Sequence, residues 1–250
     1  MNHIKKIILS MALFSTLLVA DTFKTNKGQL TILPIHHAST YLSWNNKNIL
    51  LDPAGGVERY KNFKNIDLIL LSDIHGDHLN AKVLNHVVND STRIIAPQAV
   101  IAKLPTKLQK MASRIDNMDV LKTMGLTIEA VAMYNLPEST KAKHTKGRGN
   151  GYVISFANKR VYFSGDSADI KEMRELKDID IAFVCMNLPY TMSLASAASA
   201  VLDFKPKIVY PYHYRGKKDG NSFIFDTKKF KETVNFNNKD IKVELRDWYK

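Results

Sequence analysis

Only one cysteine, Cys185, occurs in the 250 residues, so no disulfide can form within the chain and the fold must rest on its core. Its distance from the N-terminus also excludes a lipid anchor on a leader cysteine. Acids are scarce: 24 stand against 36 lysines and arginines, a formal charge of +12. The lysines scatter over residues 103–122, 141–146 and 217–239, a solvated surface with no clear nucleic-acid stripe. That excess favours a small-molecule, anionic partner without naming one. No low-complexity linker divides the chain, and a content of 45% hydrophobic and 24% charged residues is that of ordinary globular material.

Long apolar runs are missing as well. Lys5 and Lys6 precede a run over residues 7–20 that ends Leu18-Val19-Ala20, short of the roughly 20 residues that span a bilayer. This pattern predicts a secretory signal peptide over 1–20, cleaved after Ala20, with no stable membrane anchor and a periplasmic or secreted product. Its removal lowers the formal charge from +12 to +10. Residues 21–28 read as an N-terminal linker and 29–250 as a single domain.

What the chain does have is strand after strand. Residues 29–35, 40–44 and 49–51 form a meander running into Asp52-Pro53, and 152–156 and 161–163 echo it, running into Asp166. Helices are expected at 81–88, 98–104, 170–176 and 193–202, and further strands at 93–96, 119–121, 127–134, 181–184, 207–210 and 241–245. Two similar halves facing each other predict an α/β fold, a four-layer αββα sandwich.

The stretch that the rest serves is residues 66–79, where the apolar run 66–71 stops at Ser72 and Asp73, His75, Asp77 and His78 crowd into six positions. Carboxylate oxygens and imidazole nitrogens together suit zinc, manganese or iron. A solvated polar loop is the plain alternative, so the test is whether later segments add donors. His144, Asp166 and His213 do, each at the end of an apolar strand or in the loop after one. Seven donors suit two divalent ions with a shared carboxylate, the arrangement of metal-assisted hydrolysis.

The order Asp73-x-His75-x-Asp77-His78, then His144, Asp166 and His213, resembles the metallo-β-lactamase superfamily and its H-x-H-x-D-H signature. His37-Ala38-Ser39, Leu50-Leu51-Asp52-Pro53 and residues 162–166 are similar to the branch holding ascorbate-phosphate lactonases and the phospholipase D that cleaves N-acyl phosphatidylethanolamines. The resemblance implies an αββα fold with a dinuclear site between the sheets. Asp73, His75 and His144 would hold one ion, Asp77, His78 and His213 the other, and Asp166 would bridge. Zinc is the expected ion. Asp73 stands where the family has histidine, and this harder, charged ligand opens manganese or iron and should make a bound water less acidic.

Residues 146–151, Lys-Gly-Arg-Gly-Asn-Gly, look like a phosphate loop but lead into a strand with no helix, so they read as a turn at the site's edge with Arg148 in reach of a substrate anion. His37 is expected near the metals and His36 as structural. Tyr190, Tyr212 and Tyr214 are candidate hydrogen-bond donors to a developing oxyanion, set against simple packing. The expected function is an exported metal-dependent hydrolase acting on an ester, lactone, amide or phosphodiester, with Asp77 orienting the attacking water or taking its proton. The alternatives are a mononuclear iron oxygenase or thioester hydrolase of the same fold, or a metal- or ligand-binding protein without catalysis.

Overall fold

Alternation along the short central strands sets the layers. In β4 (Lys47–Leu51) and β5 (Leu68–Leu70), Ile49, Leu51, Leu68 and Leu70 join the core between two sheets, while Leu50 and Ile69 join a second core under helices. Each such buried aliphatic side chain stabilises the fold by roughly 1.5–3 kcal/mol, which is what stands in for cross-links here. Cys185 is buried and free.

The computed structural model describes residues 20–249. The expected leader, up to residue 19, lies outside the described residues. The first sheet runs β1 (Asp21–Thr25), β2 (Gly28–His36), β3 (Ser39–Trp44), β4, β5, β6 (Arg93–Ala96) and β7 (Ala112–Arg114). The second runs β8 (Val120–Thr123), β9 (Leu126–Met133), β10 (Gly149–Phe156), β11 (Lys159–Phe163), β12 (Ile181–Cys185), β13 (Ile208–Tyr212) and β16 (Lys242–Val243). A hairpin of β14 (Arg215–Lys218) and β15 (Asn221–Ile224) stands apart.

Helices α1 (Ala81–Val87), α2 (Gln98–Ile101) and α3 (Thr106–Gln109) cover the first sheet through Val83, Leu84, Val87, Val100 and Leu108. On the other side, α4 (Lys171–Arg174), α5 (Leu194–Phe204) and α6 (Thr227–Asn237) pack in sequence and bury Met173, Val201, Phe204, Phe230 and Val234. Helix, sheet, sheet, helix is the expected sandwich.

Topology brings the site together. In each sheet the first four strands are antiparallel neighbours and the following ones are parallel. Two reversals restore direction, so β2, β4 and β5 point the same way, as do β9, β11, β12 and β13. Their C-terminal ends carry His37, Asp52, the 73–78 loop, the loop to His144, Asp166, Asn187 and His213.

Some expectations need correction. Residues 21–28 are not a linker: 21–25 alternate inward and outward and pair with β2, Phe23 opposite Leu30. Their polar composition hid an edge strand with one inward aromatic. Gly149 to Gly151 belong to β10 rather than to a turn, because the backbones close on each other there. A Cβ on Gly149 would lie 2.8 Å from the Ser72 carbonyl oxygen and one on Gly151 2.9 Å from that of Phe163. The Asn150 N–H bonds the Ser72 carbonyl at 3.0 Å and the Tyr152 hydroxyl donates to that of Leu71 at 2.7 Å, tying the sheets together beside the site.

Candidate metal centre

Backbone geometry aims the side chains. His37, Asp52 and His213, each the first residue beyond its strand, have φ of 55°, 44° and 48°, the left-handed region that costs a residue with a Cβ roughly 1–3 kcal/mol. The turn swings each side chain off the strand line and into the space between the sheets. Gly165, with φ 56°, does the same for Asp166. The 73–78 loop holds itself by the His78 N–H bond to the His75 carbonyl at 3.0 Å, and then α1 begins, capped by Asn80 Oδ1 on the N–H groups of Lys82 and Val83 at 3.1 and 3.2 Å.

All seven expected donors come together, and they form groups that could hold an ion. One is Asp73, His75 and His144, a second is His78, Asp166 and His213, and a third joins Asp77 and His213 to His37. Asp166 faces two ways: Oδ2 lies 3.1 Å from His144 Nε2, and Oδ1 lies 3.3 and 3.2 Å from the Nε2 atoms of His78 and His213. Asp77 Oδ2 lies 3.5 Å from His213 Nε2. Asp73 and His75 are in direct contact.

A divalent ion fits this set. His78 Nε2, His213 Nε2 and Asp166 Oδ1 are buried polar atoms without a hydrogen-bond partner, a costly state that coordination relieves. The other ring nitrogens are held so that each Nε2 offers a lone pair. His78 Nδ1 meets Asp52 Oδ2 at 2.8 Å, and His144 Nδ1 meets the Tyr190 carbonyl at 3.0 Å. The Asn187 amide lies 2.9 Å from His213 Nδ1 with its Oδ1 unpartnered, so turning the amide over puts Oδ1 on the Nδ1–H. Asp52 is itself fixed by the Ser72 N–H at 2.7 Å and hydroxyl at 2.6 Å.

The electrostatics match. Burial alone would raise the Asp73 carboxyl, but the hydrogen bond from His75 and the His78 and His144 charges hold it at about 2. Asp166 and Asp77 are likewise held low against burial by their imidazole neighbours. Burial would lower His78, yet Asp166 and Asp52 carry it well above its usual value. His37 is pushed down to about 3 by burial and by His213, so its neutral ring donates Nε2–H to Asp77 Oδ2 at 3.0 Å and accepts from the Tyr249 hydroxyl at 2.6 Å.

Above these groups lies a cavity of about 330 Å³. His37, His75, Asp77, His144, Asp166 and Tyr190 line it, together with Lys143, Arg215 and Lys217. The expected anion contact, Arg148, is not in that lining: its Nη2 donates to Asp73 Oδ1 at 3.1 Å and to the Lys143 carbonyl at 2.6 Å. Tyr212 and Tyr214 also lie elsewhere, the one accepting the Gly165 N–H at 3.0 Å and the other donating to the Arg246 carbonyl at 3.1 Å. His36 lines a second cavity of about 330 Å³, which shares His37 and Asp77 with the first. Sequence reasoning missed Asp52 and Asn187 as supports, although Asp52 closes the first meander as Asp166 closes the second. It missed Arg215 and Tyr249 too, and no local pattern marks either.

Comparison with known proteins agrees with this arrangement. A model of the β-lactamase superfamily domain matches residues 31–213. A UPF0173 metal-dependent hydrolase of Pyrococcus abyssi is 28% identical over 192 residues, 71% of this chain and 81% of that protein. One of Pyrobaculum islandicum is 30% identical over 194 residues, again 71% and 81%. Among solved structures, one described as a metal-dependent hydrolase of Parabacteroides distasonis is 38% identical, covers 93% of this chain and 100% of that one, and gives a TM-score of 0.79. The metallo hydrolase Igni18 of Ignicoccus hospitalis, 22% identical over 88% of this chain and 96% of its own, shares the fold with a TM-score of 0.71. The family match spans both sheets and ends on His213, the last of the seven donors, and the chain belongs to the metallo-β-lactamase superfamily as a metal-dependent hydrolase.

Proposed function

We propose that this chain is an exported hydrolase that holds two divalent ions, zinc foremost, and cleaves an ester, lactone or phosphodiester in a small, anionic molecule. The single observation that carries the dinuclear reading is Asp166, whose two oxygens face two separate donor groups, with Oδ1, His78 Nε2 and His213 Nε2 left unpartnered. Asp73, His75 and His144 would hold one ion; Asp77, His78 and His213 the other. Bound ions supply Lewis acidity that lowers the pKa of a water and polarises the target oxygen.

The chain's own residues then orient and exclude. His37, braced by Tyr249, fixes Asp77 Oδ2, and Asp77 orients a water at the cavity floor. Asp77 orients the attacking water or takes its proton, its carboxyl held low against burial by the His213 and His37 rings beside it. Tyr190 walls the cavity while its carbonyl sets the tautomer of His144. Export rests on Lys5, Lys6 and the run ending at Ala20, and the first strand begins at Asp21, so cleavage there takes nothing from the described fold.

The test is metal analysis of protein purified without chelator, paired with chromogenic esters, lactones and phosphodiesters. Two ions per chain and chelator-sensitive hydrolysis are expected; one ion or fewer after supplementation overturns the dinuclear site. N-terminal sequencing of exported protein that finds Met1 intact overturns the processing. Asp73 favours one second reading, an iron-dependent oxygenation, which oxygen uptake by the iron-loaded protein without hydrolysis would select.

A further inference from the structure

Among the described residues the β14–β15 hairpin is the one small sheet that belongs to neither half of the sandwich, and it forms a wall of the cavity. It is docked, not loose. The Lys217 N–H donates to the Leu188 carbonyl at 2.7 Å, and a Cβ on Gly216 would come within 2.8 Å of that same oxygen, so the strand lies flush on the segment after β12. Arg215 and Lys217 are two apart on β14 and share a face, the face that lines the cavity; Lys218 points the other way and is absent from the lining. Opposite them, Lys143 precedes His144 and lines the same space.

These three cations differ from those around them. Arg148 is spent on Asp73, Lys146 on Glu138 and Glu172, and Arg160 on Glu129. Among the described residues no carboxylate lies within ion-pair distance of Lys143, Arg215 or Lys217. Arg215 instead sits 5.7 Å over the Tyr249 ring and Lys143 5.7 Å over the Tyr190 ring, contacts that orient a cation without cancelling its charge. Arg215 also lines the second cavity, and it shares both linings with His37 and Asp77.

Given the metal-loaded site proposed above, on which this inference rests, we propose that Arg215 and Lys217 on the hairpin, with Lys143 across the cavity, form the subsite for a phosphoryl or carboxylate group on the substrate. Arg215 supplies a planar fork suited to either anion, and the lysines supply point charges. An anion placed there sets the neighbouring bond over the metals.

Calorimetric titration of the metal-loaded full chain with phenylphosphonate, benzoate and neutral benzamide tests this without requiring turnover. Arg215→Ala combined with Lys217→Ala should weaken phenylphosphonate, or benzoate if the group is a carboxylate, at least tenfold. Arg215→Lys should recover part of that loss, and benzamide should not change. Lys218→Ala, at an exposed position of the same strand that does not line the cavity, should bind the anions as the wild type does, and equal metal content and melting temperature across the set exclude misfolding. Failure of the wild type to bind either anion, equal binding by wild type and double variant, or an equal loss in Lys218→Ala would each overturn the subsite. Anion binding lost in the double variant by a chain that hydrolyses no ester would keep the subsite and remove the hydrolase reading instead.

Discussion

The two halves repeat one topology but load it differently. In the first half β4 ends at Asp52, which ligates nothing in the donor groups and braces Ser72 and His78; in the second, β11 leads to Asp166, which faces both groups. After β5 the first half delivers four donors in six residues, whereas after β12 the second delivers only Asn187, an amide that fixes His213. The first half's donors are therefore fixed largely by one loop and its helix cap. Those of the second half come from the loop between β9 and β10, the turn after β11 and the end of β13, and meet only when the sheet is assembled.

The largest effect should come from replacing each half's aspartate. Asp166→Ala removes the carboxylate that faces both groups, and metal content should fall by both ions with hydrolysis reduced by more than about a hundredfold. Asp52→Ala leaves every donor in place and frees the His78 ring, for a loss of about 10–100-fold in metal affinity, chiefly at the group containing His78. Elemental analysis and competitive metal titration read both. If Asp52→Ala empties the site as completely as Asp166→Ala does, the division into bracing and binding halves is wrong.

His144→Ala sharpens the same contrast at a smaller scale. His144 belongs only to the group with Asp73 and His75, so one ion should be lost and the other kept, and elemental analysis should return about half the wild-type content. Loss of both would mean that the second half's strand ends act as one unit.

How much of this was legible follows the same division. The 73–78 loop can be read directly, because four donors in six positions after an apolar strand leave a local trace. The αββα layering is legible too, since two similar strand meanders, each running into an aspartate and followed by interleaved helices, predict two facing sheets with helices outside. The supports are not, because the Tyr249 hydroxyl on His37 and the Asp21 carboxylate on Arg246 join positions more than 200 residues apart. The β14–β15 hairpin escaped notice because Arg-Gly-Lys-Lys and Asn-Ser-Phe-Ile lack an alternating pattern, and α6 because it buries only Phe230 and Val234. Residues 146–151 misled for a physical reason: glycines that look like a phosphate loop are there so that β10 can press against the Ser72 backbone.

Arg148 shows how a buried carboxylate at Asp73 is tolerated. Asp73 is fully buried, and Arg148 crosses from the second half to donate to it, offsetting the added negative charge. Arg148→Ala should destabilise the metal-free protein by about 1–3 kcal/mol, the cost of leaving a buried carboxylate short of a charged donor. Because Arg148 does not line the cavity, the ratio of rates on matched anionic and neutral esters should stay near the wild-type value. Denaturant unfolding with chelator present checks the first expectation, and a selective loss on the anionic ester would return Arg148 to substrate binding.

The smallest effect is on acid stability, and its sign follows from which groups are shifted which way. Asp73 is held at about 2 against a usual 3.8, so its contribution to folding is present above about pH 4 and fades as pH falls towards 2; Asp77 and Asp166, also held low, act in the same direction. His78 is held above 6.5, so its contribution is complete below that value and is lost only as pH rises through its raised one. In the metal-free protein the denaturant midpoint should therefore fall on acidification below about pH 4, and Asp73→Asn should flatten part of that fall. A bound ion must displace the His78 proton, so metal affinity should increase with pH and uptake should release protons to an unbuffered indicator. Proton release that persists undiminished in His78→Gln would break the assignment of that proton to the loop.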